Sequence, residues 1–132
     1  METVVVAAGV IFNQGKILIT RRRKESHLGR YWEFPGGKKK NQEDLTSCLI
    51  REVREELGIQ IEVKEEILCN QHEYSDRKVD IHFFRCEWTQ GNPMAIGCDE
   101  YLWVEENAID RFAFPPANFK LIQKLKKRLN PV

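Results

Sequence analysis

Apolar residues along this chain change period from block to block. Val4–Phe12 is an almost unbroken apolar run, followed by Asn13-Gln14-Gly15 and a second run, Lys16–Thr20. Two β-branched runs around a short Asn/Gly turn predict a hairpin with a buried first strand. Arg21–Arg30 is polar and reads as a loop; Tyr31-Trp32-Glu33-Phe34 is a short extended segment stopped by Pro35. The period then becomes helical. Leu45, Cys48, Leu49 and Val53 form one stripe, which predicts a helix from Asn41, as cap, to Gly58, with Asp44 in its first turn. Alternation returns at Ile59, Ile61 and Val63, and again at Val79, Ile81 and Phe83. Ser75-Asp76-Arg77 is the expected turn between strands Ile67–Tyr74 and Val79–Trp88, and Gln90–Pro93 is another. Tyr101–Val104 reads as a strand, Glu105–Arg111 as a helical turn, and Leu121, Ile122, Leu125 and Leu129 as a final amphipathic helix. Strands and helices mix without strict alternation. The expectation is therefore α+β, a mixed sheet between helices, in a single domain spanning 1–132.

Composition narrows the class little. The net charge of +1 gives no overall field for nucleic acid or membrane, and neither is expected as a stable partner. The run Val4–Phe12 lacks a basic leader and is too short to span a bilayer, so a cytoplasmic monomer is the working expectation. Cys48, Cys69, Cys86 and Cys98 are dispersed without metal-binding spacing and are read as reduced thiols.

The chemistry gathers in the central helix. Glu52, Glu55 and Glu56 stand at i, i+3 and i+4 and share one face. Carboxylates crowded in this way repel unless a cation joins them, and oxygen ligands alone suit Mg²⁺, with Mn²⁺ as the alternative. Mg²⁺ held by a few carboxylates commonly works with substrate phosphates. The bland alternative is a solvated acidic helix face.

The spacing from Gly37 through Glu43 to Arg51-Glu52-Val53-Arg54-Glu55-Glu56-Leu57-Gly58-Ile59 resembles the signature of the Nudix hydrolases, with every fixed position met. The resemblance implies an α/β/α sandwich and hydrolysis of a nucleoside diphosphate linked to a further group. It implies a catalytic set of Glu52 as base, Arg51 orienting it, and Lys38 steering phosphate. It implies metal ligation by Glu52, Glu55, Glu56 and the Gly36 carbonyl, with Glu43 supporting. Relatives often carry another Glu on a loop six residues before the later tryptophan; here that position is Gly97, and Asp99 or Glu100 are the candidate substitutes.

Thr20-Arg21-Arg22, His27, Trp32–Gly37, Asp76-Arg77 and Phe114-Pro115-Pro116-Ala117-Asn118 narrow the resemblance to the MutT-type group. That group acts on oxidised guanine nucleotides, which implies conversion of 8-oxo-dGTP to 8-oxo-dGMP and pyrophosphate. The implied substrate-binding residues are Arg22, His27, Glu33, Phe34, Pro35, Gly36, Arg77 and Asn118, with Phe34 as the wall against the base and Asn118 reading the purine. Taken alone, Asn118 reads first as a helix cap and Phe34 as core; the Phe114–Asn118 string in its expected place favours the binding role for Asn118. Two rival functions stay open: a CTP, dCTP or methylated-pyrimidine pyrophosphohydrolase, and a non-catalytic module that recognises oxidised guanine.

Overall fold

The structure is a computed structural model that describes residues 1–26 and 28–129, the last two of these by their backbone alone. The first hairpin forms where the apolar runs place it. β1 spans Thr3–Asn13 and β2 Lys16–Arg21, with Asn13 opposite Lys16. The connecting Gln14 and Gly15 have φ of 50° and 78°. Two consecutive positive-φ residues make the type of turn whose twist matches the flanking strands. Beyond this point β3 (Trp32–Glu33) pairs with β2, and β4 (Gly36–Lys38) pairs with β1. The extended segment expected at Tyr31–Phe34 therefore does not end at Pro35. It breaks there and resumes as a second short strand. Gly36 permits the resumption: it lies at φ 155°, and a side chain there would collide with the Ala7 carbonyl.

β5 (Gln60–Glu73) and β6 (Lys78–Gln90) form a long antiparallel pair; two strands expected within β5 are one strand, kinked by register shifts between Val63 and Leu68. β6 lies parallel to β1 along ten residue pairs, and β7 (Glu100–Glu105) pairs with β2. The order β3-β2-β1-β6-β5, with β4 on β1 and β7 on β2, gives the mixed sheet expected of an α+β sandwich.

Alternating residues of β1 feed two cores. Ala7 and Ile11 pack with Cys48, Leu49, Val53 and Leu57 of α1, which spans Leu45–Leu57. Ala8 and Val10 pack on the opposite face with Phe34, Phe83, Leu121 and Leu125, the last two from α2 (Phe119–Leu129). Leu49, Val53 and Leu57 are fully buried, so truncating any to Ala costs about 2–5 kcal/mol.

The start of α1 corrects one expectation. Asp44 caps it, its carboxylate accepting from the Ser47 amide at 2.7 Å, whereas Asn41 lies in the preceding turn. Glu43 explains the shift: its amide donates to the Lys40 carbonyl while its carboxylate accepts from the Lys40 amide, and the closed turn delays helical geometry. Gly58 ends the helix at φ 70°, as expected. A helical turn at Glu106–Arg111 follows β7, and a shorter one, Pro116–Asn118, leads into α2. The four thiols are free, three of them buried. No described helix is long and apolar enough to cross a membrane.

Candidate active site

The helix spacing brings Arg51 into the middle of the acidic face. Its guanidinium donates to both carboxylate oxygens of Glu43, at 2.7 and 2.9 Å, to Glu52 Oε1 at 2.7 Å and to Glu55 Oε2 at 3.3 Å. A further N–H donates to the Lys38 carbonyl at 3.2 Å, tying α1 to β4. The Arg51 hydrogen bonds and the Lys40 amide hold the Glu43 carboxyl down at about 2, and the acids around Arg51 hold its guanidinium firmly charged. Glu52 is thus turned by one oxygen; the other faces Gly37, where a side chain would collide with the carboxylate. Glycine at 37 leaves open the space in front of Glu52.

A different environment lies one turn on. Glu56 Oε1 is buried without a hydrogen-bond partner, and so is the hydroxyl of Thr20, itself fully buried on β2. Thr20 lies close enough to favour the charged form of Glu56, yet neither atom completes a hydrogen bond of ordinary geometry. Burial, then the neighbouring Glu33 charge, raises the Glu56 carboxyl well above its usual range. Glu33 is raised as well, chiefly by burial, although Arg22 donates to it at 2.7 Å. Cys98, buried beside both acids, is pushed up to about 12, by burial first.

Three acids so placed, one with an orphaned oxygen, fit a hard divalent cation. The donors are oxygen alone, the unsatisfied Glu56 atom lacks the partner that a buried charge needs, and Glu55 remains at the solvent edge with 58% of its side chain exposed. Among the described residues no three His, Cys, Asp or Glu side chains already close into a cage. The arrangement is an open platform, which suits an ion that keeps part of its shell for water or phosphate.

Beside this platform is a cavity of about 150 Å³ on the α2 face of the sheet. Val6 and Ala8 of β1 and Ile81 of β6 line its apolar floor, and Arg22, Glu33 and Lys38 lie toward the acids. Asn118 closes the far end. It is 5% exposed, and its side-chain amide donates back to the Pro115 carbonyl at 3.3 Å rather than forward into α2. The helix-cap reading of Asn118 is therefore replaced by one in which the amide oxygen is left for the cavity. Two residues that sequence reasoning passed over hold this turn. Asn70 of β5 donates to the Ala117 carbonyl at 2.8 Å, and the Tyr74 hydroxyl accepts from the Ala117 amide at 3.3 Å. Asn70 is buried, and a buried amide needs such a partner, but its burial is visible only once the strands have paired.

Phe34 is 3% exposed, stacked on Phe114 with centroids 5.2 Å apart and edge-on to Phe83, so it offers the cavity a rim and not an open ring face. Pro35 is buried, its carbonyl accepting from the Gly9 amide at 2.8 Å; it positions Gly36 and does not line the cavity. Arg77 sits at the cavity mouth, paired with Asp76 at 3.0 Å. Lys38 is exposed at the other side of the mouth. His27 lies outside the described residues. Gly97 packs its backbone on α1, its amide donating to the Glu56 carbonyl at 3.0 Å, and a Cβ there would sit 3.2 Å from Glu56 Cα. Glu100 is engaged by Arg21 at 3.4 Å, and the carboxylate charge that bears most on Glu56 is that of Glu33.

The chain is 38% identical over 121 residues to an 8-oxo-dGTP diphosphatase of Haemophilus influenzae, covering 91% of this chain and 89% of the relative. It is 32% identical to a CTP pyrophosphohydrolase of Escherichia coli, over 93% of this chain and 91% of that protein. A MutT protein from Methanosarcina mazei Go1 superposes with a TM-score of 0.87 at 24% identity, covering 99% and 97% of the two chains, and supports the fold. The family model described as NUDIX domain matches residues 7–124, and the chain belongs to the NUDIX hydrolase family.

Proposed function

We propose that this protein hydrolyses 8-oxo-dGTP to 8-oxo-dGMP and pyrophosphate, removing a miscoding nucleotide from the precursor pool for DNA synthesis. The observation that carries the reading is the juxtaposition of the Glu52–Glu56 platform with a cavity ended by a buried amide that keeps its oxygen free. A purine enters between the β1 floor and the Pro116–Asn118 turn. The Asn118 amide both donates and accepts, which matches the altered donor–acceptor edge of oxidised guanine. Arg22 and Lys38 lie between base and acids and attract the phosphates.

When bound, Mg²⁺ or Mn²⁺ supplies charge neutralisation of the phosphates and makes a coordinated water more acidic. Glu55, Glu56 and the Gly36 carbonyl are the residues assigned to hold it, together with Glu52. Glu52 takes the proton of the attacking water, and attack falls on the β-phosphorus. Arg51 acts through Glu52: by fixing one carboxylate oxygen it leaves the other aimed over Gly37. Glu43 in turn fixes Arg51 with two hydrogen bonds, a supporting contact that holds the base in orientation. We assign the protein to the cytoplasm as a monomer.

The similarity to the E. coli CTP pyrophosphohydrolase supports a second reading, hydrolysis of CTP or related pyrimidine nucleotides at the same platform. Initial rates for 8-oxo-dGTP, dGTP and CTP with Mg²⁺ separate the two. A higher kcat/KM for 8-oxo-dGTP is expected; equal or better turnover of CTP rejects the first reading. The non-catalytic binding module is rejected by turnover of any of the three.

A further inference from the structure

On the α1 face of the sheet, beyond the rows that α1 covers, three side chains from β5 and β6 stand in line. Cys69 and His82 are cross-strand partners, with Cys69 Sγ 3.7 Å from His82 Nε2. His82 Nδ1 lies 2.7 Å from Glu66 Oε1. Strict alternation along β5 would send residues 66 and 69 to opposite faces. The register shift between Glu66 and Leu68 undoes this: Leu68 pairs with Phe83, Glu66 with Phe84, and the residue between them is left unpaired. The bulge therefore turns Glu66 onto the face of Cys69 and His82.

We propose that Cys69, His82 and Glu66 form a thiol site that takes up low-molecular-weight disulfides as a mixed disulfide. Glu66 accepts the Nδ1 proton and so leaves the lone pair on Nε2, aimed at the Cys69 thiol. The order is nucleophile, base and orienting carboxylate, each within reach of the next. Sγ attacks one sulfur of the incoming disulfide while its proton passes to His82 Nε2. The S–S bond of the reagent breaks, a new one forms at Cys69, and the departing thiolate takes the proton from His82. Cys69 is oxidised by the disulfide, half of which is reduced to a thiol, so protons and electrons balance.

The groups facing the thiol are Glu66 from its own strand and His82 and Asp80 from β6; from β1, Ala7 and Val5 stand beside His82 and Asp80 and carry no charge. Partial burial, then Glu66 and Asp80, push the thiol up, so the resting form is the protonated one and the base is needed during attack. Access favours this cysteine as well: Cys69 is exposed, whereas Cys48, Cys86 and Cys98 are buried.

The test is the rate of adduct formation between the full chain and oxidised glutathione, with the modified residue located by peptide mass mapping. Cys69 is expected to react first. His82→Gln is expected to slow it by at least about tenfold, a threshold set below the ~10²–10⁴-fold of a well-placed general base, and Glu66→Gln by a smaller factor. Circular dichroism and nucleotide hydrolysis should stay at parent levels in both variants, because neither residue belongs to the carboxylate platform. First labelling at another cysteine, or a loss below tenfold in a folded His82→Gln, overturns the proposal. If His82→Gln does not keep the parent spectrum, Glu66→Gln decides: a rate at least about twofold below the parent supports the relay, and any smaller loss overturns it.

Discussion

Two carboxylate neighbourhoods on one helix are built in opposite ways. Around Arg51, both oxygens of Glu43 and one of Glu52 accept hydrogen bonds from the guanidinium, and Glu43 is held charged far into acid. One turn on, Glu56 is buried beside Glu33 with an oxygen that bonds to nothing, and both carboxyls are raised. The first arrangement fixes geometry without help from a ligand. The second is destabilising by itself and becomes favourable when a cation arrives. In the proposed mechanism these neighbourhoods would separate orientation from binding, one for each.

Breaking the orienting half should give the largest effects. Glu52→Gln keeps the shape and loses the proton acceptor, so kcat should fall by about 10²–10⁴-fold with an unchanged circular dichroism spectrum. Arg51→Lys removes the forked contact to Glu43 while keeping the charge; a drop of about 10–100-fold in kcat/KM is expected in steady-state assays. A Glu52→Gln variant that retains parent kcat would reassign the base.

The binding half should respond through affinity and stability. Asn118→Ala deletes the amide at the end of the cavity, and the preference for 8-oxo-dGTP over dGTP should fall roughly tenfold, the size of one or two lost hydrogen bonds. The ratio of the two kcat/KM values measures it. Glu56→Gln should abolish thermal stabilisation by added Mg²⁺ while leaving the metal-free protein as stable as the parent or more so, because it removes a repelling charge. Melting curves with and without Mg²⁺ read both effects.

Acid sharpens the contrast with the smallest signals. The Glu43 carboxyl is depressed in the folded state, so its stabilisation is complete above the ordinary carboxylate range and is lost as pH falls toward about 2. Glu56 is raised, so the metal-free fold is favoured by proton uptake. That contribution is present below the ordinary range and is lost as pH rises through the elevated folded value. Urea midpoints between pH 2 and 8 without metal should show Glu43→Gln flattening the acid limb and Glu56→Gln flattening the upper one.

Much of this was legible from residues alone. The stripe Cys48, Leu49, Val53 with Gly58 places α1, and the acids at i, i+3 and i+4 place the platform. The hairpin is written in Asn13-Gln14-Gly15 between two β-branched runs. Glu33 was named from the sequence as a candidate site residue, but its burial against Glu56 arises from strand pairing that no local pattern encodes. The same holds for Asn70 and Tyr74, which act on a turn more than 40 residues away. Asn41 lost the cap to Asp44 because both are good caps, and the choice depended on a turn closed by Glu43. The face on which Glu66 lies depends on a single unpaired strand residue, a shift that alternation cannot foresee.

The Pro116–Asn118 turn hangs from β5 at two points, through Asn70 and Tyr74. Under the proposed reading, a nucleobase arriving there would meet an amide whose motions were already restricted when the chain folded. Recognition would then carry a reduced ordering cost for that segment, and selectivity would rest on the match of donors and acceptors. A loosened suspension, as in Asn70→Ala, would blur discrimination between bases even though Asn70 itself never meets one.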